Sequence, residues 1–97
     1  MVKPPAVLDG AKILKYAIVD SSVTFTGKIT LIVGGKLMGP AAGIAICKYD
    51  NQHDFLVLHC DKEWRSFGAS GYPTIEEAMS RLEVAYAGIY SKWQVMV

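Results

Sequence analysis

Thr74 to Tyr90 reads TIEEAMSRLEVAYAGIY, and this stretch decides the fold. Ile75, Met79, Leu82, Tyr86, Ile89 and Trp93 recur at alternating spacings of four and three, with Ala78 and Ala85 beside them. Such spacing gathers apolar side chains on one side of an α-helix. Glu76, Ser80, Arg81, Ser91 and Lys92 fall elsewhere on the wheel. Thr74 and Glu77 have the spacing of a capping box, in which each side chain satisfies an orphan backbone donor. Pro73 keeps the helix from starting sooner, and Glu76 and Glu77 complement the positive end of its dipole. The expectation is an amphipathic helix over 74–90. Its apolar stripe needs a matching surface, which the preceding sequence must supply.

Working outward from the helix, strands come next. A short strand is expected near Trp64 to Ala69, followed by the loop Ser70-Gly71-Tyr72-Pro73. Asp54 to Cys60 and Ile44 to Tyr49 read as two strands joined at Asp50-Asn51-Gln52-His53. Val23 to Val33 alternates most clearly. Val23, Phe25, Ile29, Leu31 and Val33 face one way, against Thr24, Thr26, Lys28 and Thr30. Gly34 to Gly43 is a glycine-rich connection. Ala11 to Val19 is the first strand, closed by a turn at Asp20-Ser21-Ser22; a helix over Ala6 to Tyr16 is the alternative, opposed by Gly10. Residues 1–10 form an extended lead-in, because Pro4-Pro5 blocks regular structure. The expected fold class is α+β: an antiparallel β-meander of four to five strands over 11–69, with one C-terminal amphipathic helix packed on one face as a two-layer sandwich.

A chain of 97 residues makes one domain, able to bury roughly 60–65% of its unfolded surface. Ten basic residues against nine acidic leave a net charge of +1, which excludes a strong electrostatic footprint for nucleic acid or anionic membrane. With 52% of residues apolar, disorder is excluded as well. Met1 to Asp9 lacks the pattern of a signal peptide, and the apolar runs are too short for a membrane span. Two cysteines read as free thiols, so the expected compartment is the cytoplasm.

One helix covers only one face of a sheet. Phe55, Leu56, Val57 and Leu58 are apolar on both faces, and Ile44, Ala45, Ile46 and Cys47 nearly so. Strands of that kind are buried on both faces. A second copy of the chain is therefore expected on the face carrying Leu56 and Leu58, giving a homodimer. The competing arrangement folds the N-terminal segment and Trp64 over that face.

Chemistry is sparse. Cys47 and Cys60 lie on the two arms of the expected hairpin, with sulfurs offset on the order of 10 Å along the strands, beyond disulfide reach. His59, Cys60 and Asp61 form the one cluster with reactive side chains. Neighbours on a strand point to opposite faces, so His59 and Cys60 diverge where a nucleophile and its base must converge. Two histidines without a spaced cysteine pair do not make a zinc site, and no cofactor is expected. Gly34-Gly35-Lys36 lacks the ending of a phosphate-binding P-loop. The loop at 68–71 does precede a helix, but Glu76 and Glu77 repel an anion there. The Thr24, Thr26, Lys28, Thr30 face reads as a solvated strand face.

From Gly43 onward the chain resembles a loose group of short bacterial proteins, some found among mobile or accessory genes such as integron cassettes. The residues that carry the resemblance are Gly43-Ile44-Ala45-Ile46-Cys47-x-Tyr49 and Cys60-Asp61-x-x-Trp64. They continue with Glu76-Glu77-Ala78, Glu83, Tyr86-x-Gly88-Ile89 and Trp93. After the Trp such proteins carry acidic and hydroxyl residues, where this chain has Arg65-Ser66-Phe67-Gly68. The group brings no established activity, so the resemblance implies an accessory bacterial protein and no mechanism.

Two functions from different classes are expected. The first is a non-enzymatic interaction module, homodimeric and binding another protein in an accessory, immunity-like or regulatory role. The second is a small-molecule binder or minor enzyme. Its pocket would lie between the sheet and the glycine-rich loops, lined by His59, Trp64 and Tyr72.

Overall fold

The structure, a computed structural model, describes residues 1–28, 32–33, 36–37 and 40–96. The fold is α+β: an antiparallel, curled sheet of five to six strands with one helix. Strands β1 (Val7–Leu8), β2 (Ala11–Ile18), β6 (Gly43–Lys48), β7 (Phe55–Cys60) and β8 (Ser66–Tyr72) lie in that order, and β10 (Gln94–Val95) pairs with the second half of β2. Between β2 and β6, the described strands lie outside the main sheet. They are β3 (Thr24–Phe25), which pairs with β9 (Tyr86–Ala87), and the pair β4 (Ile32–Val33) and β5 (Lys36–Leu37).

The lead-in is more structured than expected. Val7 and Leu8 pair with Lys12 and Ala11 across a two-residue turn, Asp9-Gly10, with φ of 52° and 81°. Positive φ at both central positions defines the type I′ hairpin turn, whose twist matches that of the strands. Asp-Gly is its characteristic pair; the expectation of a plain extended segment overlooked it.

The helix α1 runs Ile75–Ala85 and ends five residues before the expected boundary at Tyr90. At its start Thr74 Oγ1 accepts from the Glu77 amide at 3.0 Å, so of the two capping-box bonds this one forms. At its end the chain is diverted. Tyr86 and Ala87 pair with Phe25 and Thr24, and Glu83 accepts from the amides of Gly88 and Tyr90 at 2.8 and 2.9 Å. A short 3₁₀ turn, Ile89–Lys92, carries Ile89 and Trp93 onward along the same apolar side.

The long strand expected over 23–33 is not one strand. β3 ends after Phe25, and Thr26 turns its amide and hydroxyl onto the end of α1. Residues 29–31, with Thr30 of the expected polar face, and much of the glycine-rich connection at 34–43 lie outside the described residues. The fifth strand is displaced. It begins at Ser66, because Trp64 sits in the preceding turn at φ 61°.

Alternation on the strands produces two cores. On the helix side, Ile44, Ile46 and Val57 pack with Ala78, Leu82, Ala85, Tyr86 and Ile89. On the other face, Ala11, Ile13, Tyr16, Ala45, Cys47, Leu58 and Cys60 form a second cluster closed by Trp64. The sheet curls around that second cluster. Ser66 of β8 donates to the Asp9 carboxylate of the first hairpin, and Tyr49 donates its hydroxyl to the Asp9 carbonyl at 2.7 Å. The Trp64 ring meets Tyr16 edge-on at 6.0 Å, and its Nε1 donates to the Val2 carbonyl at 2.7 Å. The apolar second face is therefore buried within the chain, by curling, by Trp64 and by the N-terminal segment.

Candidate functional site

Among the described residues, His59 and Tyr72 lie on one side of the sheet and Trp64 on the other. His59 lies on the helix side of β7, its ring 6.4 Å from that of Tyr86, and is 1% exposed. Tyr72 packs at the margin of the same core, whereas Trp64 belongs to the opposite cluster. Of the proposed dimer face, Leu58 is 3% exposed within the Trp64 cluster and Leu56 is half-buried at its edge.

Strand alternation parts His59 from Cys60 as expected. Cys60 lies on the Trp64 side with Cys47, and both thiols are free. Cys47 stands opposite Leu56 and Cys60 opposite Gly43, so the two occupy different rungs of the ladder. Burial pushes both thiols up to about 12; Asp9 adds to the effect at Cys47, and Cys47, Asp9 and Asp61 add to it at Cys60. A thiol so displaced holds its proton at neutral pH and is a poor nucleophile. Burial also pulls the His59 imidazole down to about 4, so the ring is neutral in the folded state. His59 Nδ1 and Trp93 Nε1 are buried without a hydrogen-bond partner among the described residues. Among those residues no three His, Cys, Asp or Glu side chains stand close enough to hold a metal ion. No helix among them is long and apolar enough to cross a membrane.

The reactive side chains are thus interior, and the candidate site is a surface. Strand β8 pairs with β7 from Phe55↔Tyr72 to Cys60↔Ser66, with one register shift near His59. Among the described residues it pairs on that side only; β4 comes near it but pairs with β5. The opposite margin of the sheet is different, since its outer strands β1 and β10 are two residues each and pair with β2 over Ala11–Lys12 and Lys15–Tyr16. The sequence of β8, SFGASGY, has no charge and no proline. Phe67 and Tyr72 anchor it to the helix-side core, while Ala69 and Gly71 are exposed. An edge strand of this kind presents backbone donors and acceptors to another strand, and natural proteins usually blunt such edges with lysine or proline.

The turn that delivers β8 is held by the Asp61 side chain. The Asp61 carboxylate accepts from the amides of Glu63 and Arg65, both at 2.9 Å, and from Arg65 Nε at 3.0 Å. Those bonds hold Asp61 below its usual range, the Arg65 amide foremost. They also fix Trp64 in its left-handed conformation, so the indole turns inward just before the strand starts. The sequence signal for the edge was the uncharged, glycine-punctuated run 66–72, which reads equally as a loop. No protein-family model, curated protein or solved structure matches the chain.

Proposed function

We propose that this protein is a non-enzymatic interaction module whose contact element is the outer edge of β8. The observation that carries the reading is a seven-residue, uncharged strand with a ladder on one side only among the described residues. Strand addition at such an edge draws affinity from main-chain hydrogen bonds and specificity from alternate side chains. The first partner is a second copy, because antiparallel pairing about Ala69 makes the edge self-complementary: Ser66 would oppose the partner's Tyr72. The same edge would admit a strand of another protein, in keeping with an accessory or regulatory role and with the resemblance to short bacterial accessory proteins. Two unbridged thiols suit the cytoplasm.

The test is mass by light scattering and native mass spectrometry for the parent chain and for Ala69→Lys. Ala69 is exposed, so the substitution leaves the core intact, but in the pair it sets two like charges against each other. The parent should dimerise with a dissociation constant of about 1–100 µM, as suits a small, largely main-chain interface. Ala69→Lys should remain folded and monomeric. A monomeric parent at millimolar concentration, or a mutant of unchanged mass, would exclude self-association through β8.

A further inference from the structure

A second surface feature is independent of β8. In the register of β2 and β6, Lys12 is the direct partner of Lys48. Their strand neighbours Ala11, Ile13 and Cys47 all belong to the Trp64 cluster, so both lysines project from the opposite face. Like charges directly across a ladder are destabilising. Here neither is relieved by an ion pair with a described residue. Lys15, partner of Ile46, adds a third positive charge on the same face one step along.

A depression of about 290 Å³ opens at the pair, lined by Ala6, Val7, Gly10, Lys12, Lys48 and Asp50. Its volume lies just below the range of about 300–1,000 Å³ usual for small-ligand sites, which suits a small ligand. Lys48 differs from an ordinary surface lysine. Its Nζ donates to the Gln52 carbonyl at 2.7 Å and to the Tyr49 carbonyl at 3.3 Å, so the ammonium is held in place at the β6–β7 turn. An ammonium carries three donors, and one remains for a ligand. Lys12 Nζ makes no hydrogen bond with a described residue.

We propose that this depression is an anion site for a small phosphorylated molecule, held between Lys12 and Lys48. Two opposed cations match a dianion such as a phosphate monoester better than a single carboxylate. Ala6 and Val7 give the organic part an apolar wall. The Asp50 carboxylate, on the same rim, accepts from a hydroxyl of the ligand and repels a bare anion. The ligand class is therefore a hydroxylated phosphate ester of about sugar-phosphate size.

The experiment is a titration of amide NMR shifts at constant ionic strength, with inorganic phosphate, ribose 5-phosphate and acetate as probes. Both phosphates should give saturable shifts at Gly10, Lys12, Lys48 and Asp50, with dissociation constants of about 1–10 mM for inorganic phosphate and tighter for the ester. Acetate should bind at least about tenfold more weakly, since it offers one charge to two cations. Lys12→Gln, at an exposed position, should keep the native spectrum and weaken phosphate about fivefold or more, on the scale of one lost charge contact. Asp50→Asn should tighten inorganic phosphate and weaken the ester. Shifts that fail to saturate and spread evenly over all lysines, or an unchanged affinity in Lys12→Gln, would overturn the proposal.

Discussion

At the scale of single residues, burial sets the chemistry. His59 has lost its hydration on the helix side and is held neutral down to about pH 4, against 6.5 when exposed. The unfolded chain therefore binds a proton between those values that the folded chain does not, so stability is full above pH 6.5 and falls as the pH drops toward 4. The full loss is roughly 3 kcal/mol, from 1.36 kcal/mol per unit. Denaturant unfolding across this window should show the slope, and His59→Gln should remove the imidazole's share while losses linked to the Asp20 and Asp61 carboxylates remain. Cys47 and Cys60, pushed up to about 12, should react with an aromatic disulfide reagent only as fast as the protein unfolds. Rapid native labelling of either thiol would contradict their burial. Gly43 serves close approach: a Cβ there would lie 2.7 Å from the Trp64 ring. Gly43→Ala should cost about 1–3 kcal/mol in urea unfolding, the usual penalty for overpacking. The divergence of His59 from Cys60 was legible in the sequence, because period-two alternation is intrinsic to a strand. The place of Trp64 was not. A left-handed tryptophan depends on three bonds to the Asp61 carboxylate, and nothing in the residue type announces them.

At the scale of elements, the helix shows where periodicity misleads. Its stripe continues through Ile89 and Trp93, yet the α-helical ladder stops at Ala85. The apolar side is continuous because the 3₁₀ turn prolongs it, while the backbone of Tyr86 and Ala87 has joined a strand pair. The end is capped from a distance. Thr26 shares its hydroxyl proton between the carbonyls of Val84 at 2.7 Å and Ala85 at 3.2 Å, and its amide donates to Ala85 at 2.8 Å. In the sequence Thr26 is one more threonine on an exposed strand, and no local pattern ties it to a helix almost sixty residues away. Thr26→Val keeps the shape and strand propensity and removes the hydroxyl. It should lower stability by about 1 kcal/mol, as much as Thr74→Ala at the other end, whose cap was readable from spacing alone. Equal losses, measured by thermal unfolding, would show both ends to be side-chain capped; a neutral Thr26→Val would assign the C-terminal end to the amide bond alone.

At the scale of the whole molecule, the question is what covers the second face of the sheet. The sequence demanded a cover, since β6 and β7 are apolar on both sides, and a second copy was the expected answer. Curling of the sheet meets the demand within one chain, because Asp9 at one end of the strand order meets Ser66 at the other. Period and composition do not encode curl; it accumulates from strand twist and from the extra residue Leu14 that shifts the β2 register. Trp64, 3% exposed, then closes the opening with its nitrogen on Val2. Trp64→Ala should cost about 3–5 kcal/mol, the range for a large buried side chain. That is a large share of the 5–15 kcal/mol typical of a domain. Trp64→Phe keeps most of the apolar area and loses the bond to Val2, so its cost should be smaller by at least half. Urea unfolding of both, read by circular dichroism, separates the cases. A steep loss graded with ring size means the plug is what closes this core. A near-neutral Trp64→Ala would mean that the face is covered from outside, and Leu56 and Leu58 would again be the residues to place against a second copy.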